Sequence, residues 1–356
     1  MIEINAESVR VGGITPGDPP GFPVRITESG SYLLTSNLSL DSDDSFLEIE
    51  ADHVNVEMGG HSVVGWGPGP NHGIQIRSRM NVAISNGTIS NFTGWGIHDP
   101  EGHCHQIADV RLLRNIAGGA LLTGSGHTIR NCVACDNMGD GFFLGDGCSV
   151  FDTHAVRNRG QGIGCGMACI VDRSVALSNV GDGVALDHGS VARGIASARN
   201  EIIGLRAVGS VITECALAYC GEGVRCSAGS VVAHSVAHRN ERKSNPGGSR
   251  GNGRGFDVSA SVLDASCADG NEFEGVVCSD AVISSCNITH HETDSLRATG
   301  GNMVVENRIG SSLGWFGPQD IYNHIARNWI NNDEVASATA AGSYLPSTGD
   351  NANRAW

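Results

Sequence analysis

Arg206 and Arg225 carry the chemistry to hold a carboxylate, and Asp187, His188 and Asp257 flank them. An arginine pair neutralises the carboxylate of a uronate sugar and so acidifies the proton on the adjacent carbon. A neighbouring carboxylate or imidazole then removes that proton. These five residues form the first candidate catalytic set, for β-elimination or epimerisation, with glycoside hydrolysis as the other option. The structural alternative is that Asp187–Arg206 and Arg225–Asp257 are plain cross-strand ion pairs. Four more cations, Arg242, Lys243, Arg250 and Arg254, fall in or beside an insertion at 241–252. They are candidate substrate-binding residues for the wall of a groove that holds an acidic polymer. A solvated surface insertion is the plain alternative.

A second cluster is dense in ligand-type side chains: Trp95, His98, Asp99, Glu101 and His103, followed by His105. His98, Asp99, His103 and His105 are of the types that bind a transition metal. A polar surface turn would look the same.

What must position these residues is a repeat. Asn137, Asn158, Asn179 and Asn200 recur every 21 residues. The series extends back to Asn115 and Asn91, and forward to Cys220, Asn240, Asn271 and His291. Glycine-bearing turns follow, such as Gly181-Asp182-Gly183 and Gly221-Glu222-Gly223, and then short runs of alternating apolar residues. A unit with strands this short cannot bury its own apolar face, so copies must stack. Equivalent strands then pair in parallel about 4.8 Å apart. Leu144, Cys165, Leu186, Ala207, Cys226, Val258, Cys278 and Ala298 form the expected inward column, and Arg206, Arg225 and Asp257 lie in the outward one. Asn137 and its equivalents are expected to form an amide ladder.

The repeat resembles that of right-handed parallel β-helix proteins of the pectin-lyase-like superfamily, over roughly residues 40–330. The resemblance implies an all-β solenoid of about 10–13 coils of ~21 residues. The segment Ile26–Leu38 resembles the opening of many bacterial β-helix proteins of unassigned activity. Trp95-Gly96-Ile97-His98-Asp99-Pro100-Glu101 is similar to a segment of mannuronan epimerases and related alginate lyases. That resemblance implies a catalytic role for Asp99 and an aromatic role for Trp95. The segment departs from the family pattern in the inserted His98, in Glu101 where the family has His, and in Trp95 where it has Tyr.

Composition sets limits on function. Glycine accounts for 50 of 356 residues, without the period of collagen. The net charge of -15 argues against a duplex nucleic-acid partner. No apolar run is long enough to span a membrane. No leader is visible, and an exported protein lacking its leader would read alike. The expected location is secreted, periplasmic or cell-surface, with a cytoplasmic one left open. Twelve cysteines are too sparse for a disulfide miniprotein. Cys165, Cys226 and Cys278 are expected to point inward, and Cys132, Cys215 and Cys286 to share one position. Cys148 and Cys169 should sit at one corner of successive coils, within disulfide reach. The expected organisation is a cap and lead-in strands over 1–45, a β-helix over 46–330, and a tail or cap over 331–356. The chain is a monomer or a homo-oligomer through its ends. No cofactor is required by these residues, and calcium is admitted as one. The expected partner is an acidic polysaccharide; a non-catalytic surface, adhesin-like or scaffold protein is the alternative.

Overall fold

The computed structural model describes residues 1–69, 71–241 and 252–310, residue 328, and the backbone of 324–326, 329–330 and 354–355. The chain forms two compact units, Met1–Gly181 and Asp182–Trp356. Each is a parallel β-solenoid, with about 13 turns in all and almost no helix.

One sheet of each unit carries the outward column. In the first unit it comprises β1 (Val24–Ile26), β2 (Leu47–Ile49), β3 (Ile74–Ile76), β4 (Trp95–Asp99), β5 (Gly118–Leu122), β6 (Asp140–Leu144) and β7 (Ile163–Cys165). In the second it comprises β8 (Val184–Leu186), β9 (Ile203–Val208), β10 (Glu222–Ser227), β11 (Phe256–Ser259), β12 (Val276–Ser279) and β13 (Leu296–Thr299). Two shorter strands complete most coils, as in Val211–Thr213 and Ala216–Ala218. The expected inward column holds within each unit. Leu144 stacks on Cys165 in the first, and Leu186, Ala207, Cys226, Val258, Cys278 and Ala298 stack in order in the second.

These short strands are stable because every second side chain is removed from water. Ile107, Ile129, Val150 and Val171 form one buried stack, and Ile212, Val232, Leu263, Ile283 and Val304 another. Each buried aliphatic side chain contributes about 1.5–3 kcal/mol.

Corners between strands use single left-handed residues, such as Asp136, Arg157 and Ser178, each just before a ladder asparagine. The asparagine then satisfies backbone that the corner leaves unpaired. Asn137 N–H donates to Asn158 Oδ1 at 3.2 Å, and Asn158 N–H to Asn179 Oδ1 at 2.9 Å. Asn240 and Asn271 repeat the contact in the second unit at 3.0 Å. Asn91 is not the first rung. Phe92 occupies that position and donates its N–H to Asn115 Oδ1 at 3.1 Å, while Asn91 is the left-handed corner residue before it.

The second glycine of the Gly-x-Gly turn follows from the same ladder. A Cβ on Gly223 would lie 2.4 Å from Gly255 O and 2.9 Å from Asn240 Nδ2. No larger residue fits between successive coils there.

The lead-in segment is itself coil. Ile2–Ile4 pairs in parallel with Gly30–Leu34, and β1 pairs with β2. A helix, Ala6–Val11, is capped by Asn5 and Ser8. The insertion residues 242–251, with Arg242, Lys243 and Arg250, and most of 331–356 lie outside the described residues.

Candidate functional site

In the second unit, the outward positions of β9, β10 and β11 place Arg206 beside Arg225 and Arg225 beside Asp257. The side chains of Arg206 and Arg225 are 43% and 40% exposed, so both guanidinium groups meet solvent. Like charges one rung apart repel, and the fold offsets this with carboxylates. Arg206 Nε donates to Asp182 Oδ2 at 2.7 Å. Arg225 grips Glu222 with two bonds, of 3.1 and 2.5 Å, and stands 3.9 Å from Asp257. The row continues through Arg254, which bonds Asp257 at 2.9 Å and Glu274 at 3.2 Å, to Arg297, 3.1 Å from Glu274.

The pairing differs from the sequence expectation in its partners. Asp187 does not hold Arg206; its carboxylate takes the backbone N–H and Nδ1 of His188 at 2.7 and 2.5 Å. The two His188 bonds lower the Asp187 pKa, and the more distant Arg206 charge adds to the lowering. Arg254 is half-buried within the charged row, rather than part of a free loop surface. Asp182, Glu222 and Glu274 were not expected as partners of these arginines. The middle residue of Gly-x-Gly reads as turn, yet β10 begins at Glu222. The β9–β10 register skips Gly204 and Gly223, and this break in alternation lets Glu222 and Arg225 share one side. For Glu222 the available signal was Arg225 three residues after the middle of its Gly-x-Gly turn.

Glu222 is the buried member. Loss of solvent raises its pKa to about 7, against the lowering pull of Arg225, and the Asp257 charge adds to the rise. Asp187 and His188 are exposed on the same unit. Because the ionised Asp187 only accepts, His188 Nδ1 is the donor, which leaves Nε2 of the neutral ring as a base.

The second cluster does not assemble as one site. Asp99 is fully buried, and it accepts from Ser78, Glu101 and Gly102 N–H groups at 3.3, 3.2 and 3.0 Å. Its other oxygen meets His105 Nε2 at 2.9 Å. His105 is a corner residue: its Nδ1 accepts the Val82 N–H, and its own N–H donates to His127. Asp99 therefore closes a turn and fixes a corner histidine, out of reach of a polymer. His98 stacks on His72 at 4.2 Å, Glu101 bonds Ser78, and His103 bonds Ser125. Trp95 lines the close approach of Gly118 in the next coil. Among the described residues, no three His, Cys, Asp or Glu side chains gather to hold a metal ion.

No protein-family model matches the chain, and no curated protein matches its sequence. Solved structures do match. The A-module of the Azotobacter vinelandii mannuronan C-5 epimerase AlgE4 superposes with a TM-score of 0.50 at 13% identity, over 85% of each chain. The AlgE6 A-module of the same organism gives 0.49 at 11% identity, over 87% of this chain and 89% of that one. The periplasmic alginate epimerase AlgG gives 0.47 at 12%, over 84% of this chain and 76% of that one. The chain has the fold of the pectin-lyase-like parallel β-helix proteins.

Proposed function

We propose that this protein acts on a uronate-containing polysaccharide at the outward face of β8–β11. One observation carries the reading: two solvent-facing arginines occupy adjacent rungs on the unit that also exposes the Asp187–His188 pair. On this reading Arg206 and Arg225 take the sugar carboxylate and stabilise charge that develops beside it. His188 Nε2 removes the proton from the carbon bearing that carboxylate, and Asp187 stabilises the resulting imidazolium. Expulsion of the β-oxygen gives a lyase product; reprotonation from the opposite face gives an epimer. The structural likeness to epimerase modules supports a carbohydrate-acting fold without choosing between these outcomes. Action on such a polymer implies a secreted, periplasmic or cell-surface location. Among the described residues no helix is long and apolar enough to cross a membrane.

A second reading is a non-catalytic β-helix that binds or scaffolds. It is favoured by the carboxylate partners of Arg206, Arg225, Arg254 and Arg297. A panel of uronate polymers, incubated with and without calcium, separates the two. Unsaturated product is followed by ultraviolet absorbance, chain cleavage by reducing ends, and epimers by proton NMR. The proposal expects product on at least one polymer, and its loss in H188A. Absence of all three signals on every polymer supports the scaffold.

A further inference from the structure

Three sulfurs meet inside the first unit. Ser149 pairs with Ile170, which sets the preceding residues, Cys148 and Cys169, at the same corner of successive coils. The Cys148 N–H donates to Cys169 Sγ at 3.3 Å. Cys165 approaches from within the same coil as Cys169, at the end of β7, stacked on Leu144. The Cys148 thiol donates to Asp146 O at 3.5 Å and the Cys169 thiol to Gly145 O at 3.2 Å, and the Cys169 sulfur interacts with both neighbouring thiols. Cys148 and Cys169 are buried, and all twelve cysteines are in the thiol form. Elsewhere in the corners Thr153, Ser174, Ser210 and Ser230 serve in similar positions, so the fold does not demand sulfur there.

We propose that Cys148, Cys165 and Cys169 form a redox-active thiol site in which Cys169 bonds either neighbour. The donated hydrogen bonds stabilise charge on the Cys169 sulfur and lower its pKa, while its two neighbours are raised. Cys169 is the sulfur that both neighbours share, and as its thiolate it is the one that attacks. Its sulfur lies beneath a turn whose exposed residues are Met167 and Ala168, so local opening of that turn admits a reagent.

The co-reactant is a low-molecular-weight disulfide. Cys169 thiolate attacks one of its sulfurs, that S–S bond breaks, and one thiolate leaves with the electron pair. The leaving thiolate takes the proton of Cys148 or Cys165. The new thiolate attacks Cys169 Sγ and expels the second half of the reagent. Two cysteines lose two protons and two electrons, and the reagent becomes two thiols. The two products differ in consequence. A 148–169 bond links successive coils, whereas a 165–169 bond closes one turn. Attack by the remaining thiol on Cys169 interconverts them.

The test uses the intact protein with oxidised glutathione, followed by acid quench, alkylation and peptide mapping. The expected result is disulfide-linked Cys169, joined to Cys148 or Cys165. C148S should give only 165–169 and C165S only 148–169. Oxidation of C165S should raise the melting temperature by about 5 °C, as a bond across a 20-odd-residue loop does, and oxidation of C148S should not. Alkylation of Cys169 after oxidation, a stable glutathione adduct on it, or bonds only among other cysteines would overturn the proposal. The wild-type map decides this even if a variant fails to fold.

Discussion

Glu222 shows at the residue scale how burial and charge compete. Its pKa rises from 4.5 to about 7 chiefly because the coil above removes its solvent, although Arg225 opposes the rise. A carboxyl whose folded pKa lies above its unfolded value binds a proton on folding between those two values. Its contribution to stability is therefore greatest below about pH 4.5, and it is lost as pH rises through the interval to about 7. Urea midpoints at about pH 5 and about pH 8 measure this. The fall between them should be larger for the wild type than for E222Q, whose amide does not titrate. Equal falls would mean that Glu222 is ionised across the whole range. Arg225 is affected too, since neutralising Glu222 releases part of its hold on the guanidinium.

At the scale of the element, the corner ladder is what a short strand needs. Asn158 Oδ1 accepts from both the N–H and the Nδ2 of Asn137, and its own Nδ2 donates to Ala134 O at 3.1 Å. N158A takes these partners from the buried Asn137 N–H and Ala134 O of the preceding coil. A loss of about 2–4 kcal/mol is expected by urea denaturation; a loss within experimental error would remove the ladder as a stabilising element. Much of this was legible from spacing alone. A period of 21 residues identifies which side chains stack, so Leu144 over Cys165 could be read directly, and Arg206 beside Arg225 followed once the strands of the shorter coil were aligned. Two things could not. Phe92 in the first rung breaks the asparagine pattern, because an apolar side chain fills the same buried corner. The partners of the arginines were hidden because the Gly-x-Gly middle residue reads as turn; Glu222 in fact lies on the strand, where the glycine register gap turns it toward Arg225, and Asp182, just before β8, reaches Arg206. The cluster at 95–105 failed for the converse reason. Its residues are close in sequence, but corners and strand alternation send Asp99 and His105 inward and Glu101 and His103 outward.

For the whole molecule, the net charge of -15 would repel a polyuronate at long range, so the proposed recognition has to come from contact. The row from Asp182 to Arg297 fits the proposed recognition by alternating arginines with carboxylates, which cancels charge locally while leaving the guanidinium groups of Arg206, Arg225 and Arg297 at the surface. The solenoid supplies the repeat distance and the flat face; the chemistry resides in residues placed on a few rungs of it. Calorimetric titration of oligouronates into the wild type, R206A, R225A and the double variant puts this most directly to the test. The wild type should bind, each single variant should bind at least about tenfold more weakly, as loss of a charged hydrogen bond gives, and the double variant should show no heat. Undiminished affinity in the double variant, or no binding by the wild type to any oligouronate, would contradict the assignment of this face.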